Sequence, residues 1–455
     1  MILKHLHLYG LILLFLMVGC AAHRTSANLP EPRPLAEDYE RYFPPMQPDA
    51  ADTASYSGEN PAGIITLRQA LSLALLQNPA LAAFSYEIRA AEARALQASL
   101  YPNPEVGIEL ENFAGSGALS GTAELETTLL LGQSILLGGK RGKAIRAAAL
   151  ESDLIAWDYE SARLDVFTEV RQAFVVVIAA QQRVELNEEL VQLAKQLLQT
   201  ISQRVKAGKV SSAELSRAQV RLSAQRVELE RARRELEAAK IRLVSVWGSR
   251  NAEFIQAAGL LDTLYSIPPQ EKLISLLLQN PDLARFATEL EQRQAVIALE
   301  DAQRIPDPTI SGGVRRLNGS GDNAIVAGVS IPLPLSDRNQ GAREEARVRL
   351  SQTLREKQAV EVQLNVALSQ AYSSLQNVFN EATTLRDQIL PEAQKAFDTI
   401  NDGYLQGRFN FLDVLDAQRT LFEARGQYLR ALADFHTITA EIERLIAQEI
   451  NTVQN

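Results

Sequence analysis

The 455-residue chain is 46% hydrophobic and 22% charged, with a formal net charge of −9 at pH 7 and a pI near 5.3. It has no global basic field and no local basic patch, so it offers nucleic acid no electrostatic footprint. Its one cysteine, Cys20, excludes an internal disulfide, and none of its four histidines has a partner at ligand spacing, so neither a metal site nor a cofactor is expected.

Lys4 precedes an apolar run from Leu8 to Val18 that is too short to span a bilayer comfortably, the pattern of a signal peptide over residues 1–19. The stretch Leu16-Met17-Val18-Gly19-Cys20 resembles a bacterial lipobox, which implies acylation at Cys20; an ordinary signal peptide containing a cysteine is the other reading. Ala21, in place of an acidic residue, resembles lipoproteins sent on to the outer membrane. Residues 20–62 carry Pro30, Pro32, Pro34, Pro44, Pro45 and Pro48 among polar residues. Such a composition favours extended backbone and reads as a lipid-anchored tether.

Thr66 caps a short helix to Gln77, and an Ala-rich helix follows from Ala80 to Leu100, stopped by Pro102. The period then changes to two. Val106, Ile108 and Leu110 alternate with Glu105, Gly107, Glu109 and Glu111. Beyond Gly115-Ser116-Gly117, Ala123, Leu125, Leu129, Leu131 and Ile135 oppose Thr122, Glu124, Glu126, Thr128 and Ser134, which predicts a β-hairpin over about 104–136. Lys140 to Ala207 reads as one helix on the order of 100 Å long. Gly208 supplies its left-handed end. Leu215, Ala218, Leu222, Gln225, Leu229, Ala232, Leu236, Ala239, Leu243 and Val246 form the heptad seam of a return helix, giving a helical hairpin over about 140–247.

The same order of events then recurs. Leu75-Leu76-Gln77-Asn78-Pro79 returns as Leu277-Leu278-Gln279-Asn280-Pro281, and Tyr101-Pro102-Asn103-Pro104 as Ile305-Pro306-Asp307-Pro308. Gly208 stands to Ala218-Gln219 as Gly407 stands to Ala417-Gln418. Alternation at Ile325, Ala327, Val329, Ile331 and Leu333 predicts a second β-hairpin over about 308–335. A second helical hairpin covers about 338–447; its outgoing helix contains only Pro391, and its return seam runs Ala417, Leu421, Ala424, Tyr428, Ala431, Phe435, Ile438, Ile442, Leu445. A period this long marks two duplicated halves, 63–265 and 266–455, and not a solenoid. Four strands cannot close a barrel, and lipid does not tolerate open edges, so a membrane reading requires several chains. Soluble hairpins packed on a helix are the other reading.

No phosphate-binding glycine loop, nucleophile elbow or two-histidine zinc helix is present, so no enzyme is expected. Gly138-Gly139-Lys140-Arg141-Gly142 reads as a basic, flexible exit from strand to helix, and His436 as a helix-surface or packing residue.

Lipobox, tether and two copies of helix, β-hairpin and helical hairpin together resemble the outer-membrane efflux protein (TolC) family, most specifically at Gly403-Tyr404-Leu405-Gln406-Gly407-Arg408-Phe409-Asn410-Phe411-Leu412-Asp413-Val414-Leu415-Asp416-Ala417-Gln418. The resemblance implies a mainly α fold with β, assembled as a homotrimer with a 12-stranded outer-membrane barrel and a 12-helix periplasmic tunnel. It implies a passive exit duct that works with a periplasmic adaptor and an inner-membrane resistance-nodulation-division pump. Asp413 and Asp416 match the family's entrance aspartates, and Tyr404 with Glu214 a contact that holds the tunnel closed; Phe409 and Ala213 replace the polar pair of a second link. Gly208, Lys209, Gly407 and Arg408, flanked by Arg204 and Lys206, form the expected adaptor-docking surface. Glu105, Glu109, Glu111, Glu124, Glu126 and Arg315 fall on the expected inner face of the barrel. Leu137-Gly138-Gly139-Lys140-Arg141-Gly142 and the Asp413-to-Arg425 stretch resemble the heavy-metal branch, so metal cations are the expected cargo. Organic drugs through the same duct, or a coiled-coil envelope lipoprotein without a pore, are the alternatives.

Overall fold

A computed structural model of the chain describes residues 26–42 and 61–454. They divide into two compact units, one of residues 26–30, 87–156 and 285–358, the other of residues 31–42, 61–86, 157–284 and 359–454. In chain order the elements of the first half are β1 (Gly63–Ile65), α1 (Leu67–Gln77), α2 (Pro79–Ala98), β2 (Glu105–Glu111), β3 (Glu126–Ser134), α3 (Lys140–Lys206), α4 (Ser212–Ser245) and β4 (Phe254–Ala257). The second half contributes α5 (Gln270–Leu276), α6 (Pro281–Gln303), β5 (Thr309–Leu317), β6 (Asn323–Ser330), α7 (Gln340–Thr384), α8 (Leu390–Leu405) and α9 (Phe411–Ile446).

The repeated Leu-Leu-Gln-Asn-Pro signature has a shared mechanical task. Asn78 caps α2: its Oδ1 accepts the N–H groups of Ala80 and Leu81, while its Nδ2 donates to the Val246 carbonyl just past α4, at 2.7 Å. Asn280 does the same for α6, accepting from Asp282 N and donating to the Leu445 carbonyl in α9 at 2.9 Å. Each asparagine thus satisfies both a helix start and a return-helix carbonyl, and the following proline supplies the preset φ of a first helical turn.

The heptad positions pack as their spacing predicts. On α4, Ala218, Leu222, Gln225, Leu229, Ala232, Ala239 and Leu243 are buried, and Leu222 and Leu229 meet Val191 and Ala194 of α3. On α9, Ala417 and Leu421 meet Ala393 and Phe397 of α8. Each buried leucine contributes about 1.5–3 kcal/mol, so the seam outweighs single surface ion pairs. Between α7 and α8, Leu385–Ile389 form a π-helical turn that ends two residues before Pro391. Proline cannot donate to the carbonyl four residues back, and the wider turn absorbs that break without ending the rod.

Both long hairpins end in the same cap. Gly208 at φ +68° and Gly407 at φ +79° occupy the left-handed region. Gly208 N donates to Val205 O and Lys209 N to Arg204 O; Gly407 N donates to Tyr404 O and Arg408 N to Gly403 O. These are matching Schellman motifs. The next helix start is closed at the second tip by a capping box between Asn410 and Asp413.

Three expectations are corrected. Residues 31–42, expected as part of an extended tether, turn at Pro34–Ala36 and the residues that follow, and they are docked: the Leu35 and Ala36 side chains are buried and Leu35 N donates to Ala447 O. Arg163, with Glu160 fully buried beside it, donates to the Ala36 and Tyr39 carbonyls at 2.6 and 2.7 Å, and Glu160 pairs with Arg41 at 2.9 Å. Those strap contacts supply the polar partners that two buried charges require. Second, β6 stops at Ser330, leaving Ile331, Leu333 and Leu335 exposed outside the strand, because Pro332 and Pro334 have no N–H for a ladder. Third, the Gly-Gly-Lys-Arg-Gly exit is pinned: Lys140 is buried and pairs with Asp307 at 2.6 Å, and Asp307 also accepts Leu137 N. Arg141 donates to Ser99 O and stacks 4.2 Å from the Tyr101 ring.

At the end of α9, Glu443 is 1% exposed, accepts Ile450 N and pairs with Arg171 at 2.5 Å. Burial pushes its carboxyl up to about 7 from 4.5, against the pull of Arg171. Between those values the folded chain holds a proton that the unfolded chain has released, so this group's contribution is full below 4.5 and is lost as pH rises to about 7. Glu443→Gln should therefore gain stability relative to the parent chain between pH 5 and 8, by roughly 3 kcal/mol; thermal unfolding at both pH values checks this, and a constant offset would contradict it. At the tips, a Cβ on Gly208 or Gly407 would meet no neighbour, so Gly→Ala costs only backbone strain. We expect about 1–2 kcal/mol of local destabilisation, read as faster hydrogen exchange over 200–215 or 400–415 with the rest of the helices unchanged.

Candidate functional site

The two hairpin tips share one apolar cluster: Ile201 of α3, Ala218 of α4, Tyr404 of α8, and Phe411 and Val414 of α9. Tyr404 lies inside this cluster at 2% exposure, with the Arg204 guanidinium 4.5 Å from its ring and Arg204 Nη1 donating to its carbonyl at 3.0 Å. Burial pushes the Tyr404 phenol up, Arg204 pulls it back, and the Glu214 carboxylate adds to the rise. Within one chain, then, Tyr404 contacts Arg204, while Glu214 sits half-buried in the first turn of α4. Arg204, which the sequence sets beside the docking surface, is thus also a packing partner of the Tyr404 ring.

Asp413 is half-buried and accepts Asn410 N at 2.9 Å, completing the capping box; Asp416 is exposed and pairs with Arg419 at 2.7 Å. The two carboxylates are thus brought to one end of α9, each with a partner on its own helix or cap. Around them the tips differ in chemistry. Lys206 and Lys209 are exposed at the first tip; Leu405, Phe409 and Leu412 are exposed beside Arg408 at the second. The Phe409 ring occupies the space a Cβ on residue 403 would fill, so Gly403 is required for that ring to fold back. A glycine inside an otherwise helical pattern is the sequence signal for such a close approach.

The other candidate region is the antiparallel sheet β2-β3-β5-β6. Its register sets Val106, Ile108, Leu110, Leu129, Leu131, Ile310, Val314, Ile325 and Val329 on one face. All of these are exposed, from 44% at Leu131 to 85% at Ile325. The opposite face carries Glu105, Glu109, Glu111, Glu126, Thr128, Ser311 and Arg315. Arg315 binds Glu111 at 2.8 Å, Glu126 at 2.9 Å and Thr128 Oγ1 at 2.8 Å. Glu124 is not on this face: β3 begins at Glu126, and Glu124 lies in the preceding turn against Gly319. The turn is tied by Leu125 N to Thr122 O, which takes residues 122–124 off the ladder, while Asn318 N donates to Leu125 O at its end. β2 and β6 each leave one edge unpaired among the described residues.

His436 is half-buried, within reach of the Tyr265 hydroxyl and the Leu261 carbonyl, and burial lowers its pKa. Among the described residues no group of three or more His, Cys, Asp or Glu could hold a metal ion, and no helix is long and apolar enough to cross a membrane. Cys20 lies outside the described residues.

The family model described as outer membrane efflux protein matches residues 70–249 and 273–448. The cobalt-zinc-cadmium resistance protein CzcC of Cupriavidus metallidurans is 36% identical over 85% of this chain and 91% of its own length. The nickel and cobalt resistance protein CnrC of the same organism is 31% identical over 70% of this chain and 75% of its own. The solved structure of CusC aligns with a TM-score of 0.71 over 90% of this chain and 99% of that one, at 18% identity, a likeness of fold. Two family-matched segments, each holding a strand pair and a long helical hairpin, account for most of the described architecture. The chain belongs to the outer membrane efflux protein family.

Proposed function

We propose that the chain is the passive outer-membrane exit duct of a tripartite efflux system, working as a homotrimer lipid-anchored through Cys20. The observation that carries this reading is the open sheet: four strands with two unpaired edges among the described residues and one face carrying nine exposed apolar side chains. Water disfavours the apolar face and lipid forbids the open edges, and three chains of four strands close a twelve-stranded barrel whose apolar face meets lipid and whose polar face meets the lumen. A second unpartnered surface agrees: α4 exposes Val220, Val227 and Ile241, spaced at multiples of seven, as a seam for a neighbouring helix.

At the tips, Asp413 and Asp416 of three chains form the constriction, and neighbouring tips meet through Tyr404 and Glu214. Gly208, Lys209, Gly407 and Arg408 receive a periplasmic adaptor that links the duct to an inner-membrane resistance-nodulation-division pump. The cargo is heavy-metal cations. Support for the cargo comes from the metal-resistance roles that CzcC and CnrC are named for and from the excess of carboxylates on the polar sheet face, which suits cation passage.

Deleting the protein should sensitise its host to zinc, cobalt, cadmium, nickel, copper or silver. Sensitisation to organic drugs alone would sink the metal assignment, and absence of conductance in planar bilayers would sink the duct. Asp413→Asn with Asp416→Asn should lower cation-over-anion selectivity several-fold in the same bilayers; unchanged conductance and selectivity would mean that these carboxylates do not line the entrance.

A further inference from the structure

We infer that Arg315 is a specificity-determining residue of the polar sheet face: it locks Glu111 and Glu126 together, so that a passing divalent cation meets separated carboxylates and never a two-carboxylate chelate. The inference rests on the duct reading. Glu111 and Glu126 face each other directly across β2 and β3. Directly opposed residues have Cβ atoms about 4.5–5.5 Å apart, close enough for both carboxylates to share one cation at the roughly 2.0–2.6 Å oxygen distances that divalent ions take. No other directly opposed pair in the sheet is doubly acidic, since Glu105 faces Gly132 and Glu109 faces Thr128.

Arg315 reaches this pair from β5 and places both of its terminal nitrogens on it. Nη2 holds Glu111, Nη1 holds Glu126, and Nε donates to Thr128, itself fully buried. The other Glu126 oxygen accepts Asn112 Nδ2 at 2.9 Å. A guanidinium is permanently charged and bidentate, so it fills the place of a divalent ion without being exchangeable. Conduction requires sites that attract an ion and still release it. Glu105 and Glu109 meet that need on an exposed strand, whereas an unlocked Glu111–Glu126 pair would retain the cargo.

The test uses the full-chain protein with zinc as the probe. Arg315→Gln should make bilayer currents more sensitive to zinc block by roughly ten-fold or more, Arg315→Lys should lie between, and Arg315→Gln with Glu126→Gln should return towards the parent. Equal zinc sensitivity in R315Q and the parent, or undiminished sensitivity in the double variant, would overturn the inference and leave Arg315 a structural clamp. Should R315Q fail to fold, R315K decides alone: raised zinc sensitivity supports the inference, and parental sensitivity overturns it. If the parent carries no current, the duct reading fails; equilibrium zinc binding to detergent-solubilised R315Q, expected above that of the parent, then tests the lock on its own.

Discussion

A sheet edge is a row of backbone donors and acceptors with nowhere to go, and the four-stranded sheet leaves two of them unpaired among the described residues. β2 and β6 bound a sheet whose one face is dominated by exposed apolar side chains and whose other carries its carboxylates and Arg315. Water could satisfy the edges but not the apolar face, and lipid could satisfy the face but not the edges. Only closure with further strands meets both demands. The duplication follows from the same constraint, because each half supplies two strands and one long hairpin, the smallest unit that repeats around a closed wall.

What makes the repeat hold its shape is less visible than the strands. Asn78 and Asn280 tie a helix start to a return-helix carbonyl, so the short helices and long hairpins are set against each other in matched fashion in both halves. Packing along the hairpins then carries most of the energy, through alternating large and small seam residues such as Leu222, Leu229, Ala417 and Leu421. Buried charge secures chain segments in several places, at Glu160 and Arg163 under residues 31–42, at Glu443 under the segment that follows α9, and at Lys140 where β3 passes into α3.

Periodicity made the helices, their seams and most of the strand residues legible in the sequence, because both periods are local. The failures share a cause. Lys140 finds Asp307 across 167 residues, and Arg163 finds the strap across more than 120, so a basic loop and a proline-rich leader looked free when each is held. Glu124 fits the alternation of β3 on paper, yet turn hydrogen bonds at Thr122 and Leu125 withdraw it from the ladder. At the tips, residue types pointed to the right neighbourhood but not to the partner of Tyr404, since the ring's burial depends on Arg204 from the other hairpin.

The Schellman caps give both tips one backbone shape, while divergence gave them unlike surfaces, cationic around Lys206 and Lys209 and apolar around Leu405, Phe409 and Leu412. Shape and chemistry have therefore been uncoupled. A protein that grips both tips must either read main chain alone or be two-faced itself, and mutations that redesign one surface leave the other, and the fold beneath it, free to stay as they are.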